Sequence, residues 1–197
     1  LFLLFFPFLF SSCLAMGVPY TSDPNTLVDY SYEMMNQHRP QRAKEFIERA
    51  LAKFEKTGDK KGLAEAYMAY GLYHKYGFVV PTAESPASLL EPAPPAHGRL
   101  YTENIDYDKS EEYYRKAIEN FQDVNSYEGL SRAYAVLATL YQMENKKELM
   151  LASIDRSEKY YRQMKEQDPK AESSLVLEKN QTLSHFLKEL RKEAIEV

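Results

Sequence analysis

Residues 64–74 and 131–141 carry the same face. In each, large side chains stand at the fourth and seventh places and a small one at the eighth. These are Tyr67, Tyr70 and Gly71 in the first segment, and Tyr134, Leu137 and Ala138 in the second. That i, i+3, i+4 spacing puts all three on one side of an α-helix. The small residue lets a neighbouring helix approach closely. Each segment therefore reads as a helix that must pack on a partner.

Matching second helices follow. Ala43, Ile47 and Ala50 lie in residues 42–56, Ser110, Tyr114 and Ala117 in 107–121, and Met150, Ile154 and Ser157 in 147–165. Each shows a small or medium residue, a large one and a small one at i, i+4 and i+7. Counting back from Ala43 places Leu27, Tyr30, Ser31 and Met34 on the first helix of an opening repeat. Composition agrees with a helical body whose large packing residues are tyrosines: 16 Tyr, 7 Gly and no Trp. The formal net charge is −4, and no block of Lys and Arg provides an electrostatic footprint for nucleic acid.

The pattern resembles the tetratricopeptide repeat (TPR), a pair of antiparallel helices in a unit of about 34 residues. The first two units start near Pro24 and Ala64, a longer step. The connectors, residues 57–63 and 124–130, account for it: Gly58 can act as a helix stop, and Gly62-Leu63 and Gly129-Leu130 lead into the next helix. Such Gly-Leu junctions resemble the longer TPR variant, of roughly forty residues, found in signalling and scaffold proteins. The resemblance covers residues 24–165. It implies an all-α, TPR-like superhelical array of about three helix-turn-helix repeats, at 24–63, 64–130 and 131–167.

The second unit is interrupted. Residues 78–103 contain Pro81, Pro86, Pro92, Pro94 and Pro95, five of the ten prolines, and cannot form one continuous helix. Segments of this length inside a compact domain are usually functional or disordered. Three readings stand: a tolerated insertion, a loop that binds a partner or covers the groove, and a swapped or self-binding element. Residues 168–197 carry an apolar stripe of Leu183, Phe186, Leu187, Leu190 and Ala194, with charged residues on the other side. Repeat arrays need a terminal cap with a polar outer face, and this segment reads as that capping helix. The alternative is an exposed helix that seeks another protein.

The start of the sequence makes a separate prediction. Leu1 to Phe10 is apolar, and Cys13 is the one cysteine. The run fits a secretory hydrophobic segment of about 7–15 residues and is too short for a membrane-spanning helix, which needs about 20. Phe10-Ser11-Ser12-Cys13 resembles a bacterial lipobox, although Phe10 stands where that family usually has Leu. The resemblance implies a signal segment at 1–13, lipidation of Cys13 and a linker at 14–23. No basic region or initiating Met precedes the run, so the expectation is of a clipped start. Leu14, in place of Asp, implies an outer-membrane address facing the periplasm of a bacterial cell envelope. Plain secretion with cleavage after Ala15, and a buried free thiol, are the alternatives.

Chemistry-bearing motifs are sparse. His38, His74, His97 and His185 show no ligand spacing such as H-E-x-x-H, and no glycine-rich phosphate loop occurs. Glu111 and Glu112 stand four residues before Arg115 and Lys116, as on a solvated helix face. The expectation is a non-enzyme with no catalytic residues, metal or cofactor.

In the TPR family the first helices line a concave wall that holds a peptide or a partner helix. Carried onto this chain, the inward positions are Asn25, Val28, Tyr32 and Met35, then Glu65, Met68, Leu72 and Lys75, then Arg132, Ala135, Thr139 and Gln142. The resemblance implies a lipid-anchored adaptor or scaffold that binds a protein or peptide partner in this groove. It is similar to the pilotin-type TPR lipoproteins that support assembly of secretion or pilus machines. A peptide-sensing regulatory module, and an accessory subunit of an envelope enzyme or transporter, are the alternatives. No nucleic acid partner is expected, and the oligomeric state is open.

Overall fold

A computed structural model describes residues 21–76, 105–173 and 182–196. These residues form seven helices and no strand: α1 (Pro24–Asn36), α2 (Pro40–Thr57), α3 (Lys60–Lys75), α4 (Tyr107–Asp123), α5 (Tyr127–Met143), α6 (Lys147–Gln167) and α7 (Leu183–Glu196). Each helix packs on the next along the chain. The odd-numbered helices also touch one another in sequence, α1 to α3, α3 to α5 and α5 to α7. Among the described residues, the backbones of α2, α4 and α6 do not approach one another closely. This packing is consistent with a helical repeat array.

The helix starts are fixed by side chains that accept from otherwise unpaired backbone N–H groups. Asp23 accepts from Thr26 N, Asp59 from Gly62 N, Asp106 from Lys109 N and Ser126 from Gly129 N. Pro24 and Pro40 occupy first-turn positions, where a missing N–H costs nothing. Four helix ends close in one way, with a backbone bond spanning five residues that satisfies a last-turn carbonyl. Arg39 N donates to Met34 O, Asp59 N to Phe54 O, Ser126 N to Phe121 O and Lys146 N to Tyr141 O. Each closure needs a left-handed residue. Gly58 supplies it at φ 71°, and His38, Asn125 and Asn145 at 54°, 52° and 58°.

The caps correct one boundary. The sequence reading places Gly62-Leu63 and Gly129-Leu130 in connectors, whereas Asp59 and Ser126 start α3 and α5 early enough to put both glycines inside the first turn. Packing explains why glycine is there. A Cβ on Gly62 would lie 2.1 Å from the Phe54 ring, and one on Gly129 would lie 2.4 Å from the Phe121 ring. The two contacts occupy equivalent places, with the last large residue of one hairpin lying on the backbone of the next. Both rings are 0–1% exposed, and burying a phenylalanine stabilises by about 1.5–3 kcal/mol.

A third close approach lies within a hairpin. Gly71 faces the Tyr114 ring, 2.5 Å from where its Cβ would stand, and Ser110 Oγ donates to Gly71 O at 2.9 Å. At the equivalent positions the third hairpin has Ala138 and Ile154, where a smaller side chain opposite leaves room for a methyl group. There, Ser131 Oγ donates to Ser157 O at 2.8 Å and Ser157 Oγ to Ser131 O at 2.7 Å.

Two apolar clusters result, and α3 is their common wall. Leu63, Ala66, Ala69, Tyr70 and Tyr73 join α1 and α2 in one. Ala64 and Met68 join α4, α5, α6 and α7 in the other. The α7 stripe read from the sequence is buried in the second, with Leu183 at 0% and Ala194 at 2% exposure. Arg191 fastens α7 to α6 through Asp155 (2.6 Å) and Glu158 (2.8 Å). The interruption in the second unit lies between α3 and α4, where Asp106 N donates to His74 O at 3.3 Å and draws its two ends together. Residues 78–103 themselves lie outside the described residues.

Two substitutions test this architecture. Gly129→Ala must push Phe121 aside and is expected to cost about 1–3 kcal/mol in chemical denaturation, as overpacking does. His38→Gly removes a left-handed strain of about 1–2 kcal/mol against glycine's greater unfolded-state freedom, so the melting temperature is expected to rise modestly. A fall would mean that the His38 side chain supplies more than its backbone conformation costs.

Candidate functional site

The candidate surface is the row of odd-numbered helices, where the sequence reading placed its twelve inward positions. The structure divides them into three groups. Val28, Tyr32, Met35, Met68 and Ala135 are buried, between 0% and 8% exposed. Asn25 is exposed and Leu72 is half-buried. The remaining five are engaged in bonds from one helix to another.

Those bonds form a line of ties across the row. Arg132 of α5 donates through Nη2 to Glu65 Oε2 of α3, and the two side chains are 14% and 27% exposed. Ten residues along α3, Lys75 Nζ donates to Thr139 Oγ1 of α5 at 2.6 Å. Thr139 Oγ1 in turn donates to Val136 O at 2.7 Å. Gln142 Nε2 of α5 donates to Glu193 Oε2 of α7 at 2.8 Å. Positions expected to face a partner thus bind the chain to itself.

The electrostatics follow from this crowding. Burial works against the Arg132 charge, and the adjacent Glu65 carboxylate more than offsets it, so the guanidinium stays firmly protonated. Burial, reinforced by Glu65, pushes the Tyr32 phenol well above its usual range. Tyr32 of α1, Glu65 of α3 and Arg132 of α5 therefore belong to one electrostatic cluster that spans three helices.

A second cluster lies where α2, α3 and α4 meet. Tyr113 stacks on Tyr70 with centroids 4.4 Å apart and on His74 at 5.5 Å. Lys116 Nζ lies 5.0 Å from the Tyr113 centroid, within cation–π range. Tyr70 Oη donates to Glu48 Oε1 at 3.0 Å. At the equivalent places in the first hairpin, Tyr30 and Phe46 sit 5.9 Å apart, so the aromatic contact is itself repeated. A third group ties α4 to α5: Tyr141 Oη donates to Glu111 Oε1 at 2.7 Å and accepts from Arg115 Nη2 at 3.0 Å. Burial and the Glu111 carboxylate push the Tyr141 phenol up to about 12.

The sequence reading did not anticipate Glu193 as a tie, because its charge lies in the outward pattern of its own helix. It weighed His74 as a packed or surface residue rather than a ligand, and one of its aromatic neighbours, Tyr113, comes from α4 across the interruption. The visible signal was the Tyr67–Tyr70–His74 spacing along one helix.

Cys13, the expected lipidation position, lies outside the described residues. Among the described residues, no group of three or more His, Cys, Asp and Glu side chains is placed to hold a metal ion, and no helix is long and apolar enough to cross a membrane. Comparison with known protein families, curated proteins and solved structures finds no match for this chain.

His74 gives this region a pH dependence. Burial holds its imidazole below the ordinary value of 6.5, with Asp106 partly opposing. As the pH falls through about 6.5 the unfolded chain takes up this proton before the folded one does, so folding stability falls with it. His74→Phe keeps the stack and is expected to flatten the stability profile between pH 7 and pH 5. An unaltered slope would assign it to other groups.

Proposed function

We propose that this chain is a TPR-type adaptor, held at a membrane through a lipid on Cys13, that presents its helical array to a protein partner. The observation that carries the reading is the repeated junction, Phe54 on Gly62 and Phe121 on Gly129. Helical hairpins stacked through equivalent contacts form an extended surface, and repeat arrays use such surfaces for binding. In this reading the odd-numbered helices line the concave side of a superhelix, and α7 caps its end.

The accessible part of that side is narrower than the twelve positions suggest. Asn25 and Leu72 are free of the ties and are the preferred contacts, with the edges of Glu65, Arg132 and Gln142 as polar neighbours. Met68 serves the core. Lipid tethering would add confinement: an anchored surface meets membrane-bound partners at raised effective concentration. A role in assembling a secretion or pilus machine in a bacterial outer membrane is the version that the lipobox resemblance favours.

Two experiments test the reading. Cys13→Ser is expected to move the full-length protein from the membrane fraction to the soluble fraction, and continued membrane association would overturn the anchor. Capture of the full-length protein from its native envelope is expected to retain a partner that Leu72→Glu loses. A matched change on an even-numbered helix, Glu119→Lys, should leave capture intact. A partner retained by Leu72→Glu and lost by Glu119→Lys would move the binding surface to the even-numbered helices.

A further inference from the structure

Consecutive hairpins are joined in two physically different ways. On one side the seam has an apolar centre, Phe121 of α4 on Gly129 of α5, with the polar Tyr141–Glu111–Arg115 group beside it. On the other side, where α3 meets α5, the contact is slender. Of the buried apolar residues of α3, only Ala64 and Met68 belong to the cluster that includes α5. That side is spanned instead by Arg132–Glu65 near one end of α3 and Lys75–Thr139 near the other. With 1.5 Å of rise per residue, Glu65 and Lys75 stand about 15 Å apart along α3, so the ties lie at opposite ends of the seam.

We infer that these two ties form a latch that sets the angle between the second and third hairpins, with the α4–α5 seam as its pivot. The apolar seam resists separation, because parting it exposes the Phe121 ring and leaves a void at Gly129. The polar ties are directional and few, and the Arg132 and Glu65 side chains keep some access to water, at 14% and 27% exposure. Release therefore lets α5, α6 and α7 swing away from α1 to α4 on the odd-helix side, while both apolar clusters keep most of their contacts. Closure around a hinge formed by element ends and packed seams is an established mode of domain motion. This inference does not depend on the adaptor reading, since it concerns the array's shape whether or not a partner binds there.

The test is a pulsed electron–electron spin distance measurement on the full chain. Cys13→Ser removes the native thiol, and Ala52→Cys on α2 with Ala152→Cys on α6, both exposed, carry the labels. The latched protein is expected to give one narrow distance distribution. In the variant with Glu65→Ala, Arg132→Ala and Lys75→Ala, the distribution is expected to shift and to widen about twofold, with helix content and a cooperative melt retained. A control that removes the surface pair Arg42→Ala and Glu45→Ala should match the latched protein. If the triple variant does not fold, Thr139→Val removes the Lys75 acceptor at constant shape and is expected to widen the distribution in the same direction. An unchanged distribution in whichever variant folds would overturn the latch.

Discussion

A phenylalanine ring lying on a glycine backbone is the contact on which the array depends. Phe54 meets Gly62 and Phe121 meets Gly129 at distances that leave no space for a side chain. Each contact fixes how one hairpin enters the next, because the ring can reach the backbone only from one direction. Side-chain caps from Asp59 and Ser126 bring these glycines into the first helical turn. Capping and packing therefore support each other: the cap starts the helix early enough for the glycine to receive the ring.

The helix α3 carries an unusual burden. One side of it completes the cluster with α1 and α2, and another completes the cluster with α4 to α7. Gly71 admits the Tyr114 ring so that α4 can pack tightly. The interruption between α3 and α4 is tolerated because a backbone bond from Asp106 to His74 draws its ends together, and loop-closure entropy grows only slowly with length. The polar ties along the odd-numbered helices turn expected partner contacts into internal ones. In the proposed adaptor reading, the contacts left on that side are residues such as Asn25 and Leu72.

Much of the architecture was legible in the residues. The Tyr67–Tyr70–Gly71 and Tyr134–Leu137–Ala138 faces, and the small residues of the second helices, report helix periodicity and close approach directly. The apolar stripe of α7 was equally plain, since burial of a helix face leaves a period that any reader can count. Helix starts were less visible: Asp59 and Ser126 each stand before glycine-containing segments that look like loops until the packed ring explains them. His38, at a positive φ, carries no sequence signal, because glycine and asparagine are the usual choices there.

The helix faces were legible, and the state of the residues expected to line a surface was not. Sequence by itself determined that the chain forms helical hairpins and which faces they bury, because those properties follow from local periodicity; the twelve inward positions came from the TPR resemblance. Only the tertiary structure decided that Arg132 meets Glu65, that Lys75 meets Thr139 and that Gln142 meets Glu193. These partners lie between 51 and 67 residues apart along the chain. No local spacing encodes such pairs, and they exist only once the apolar seams have set the distance and angle between helices.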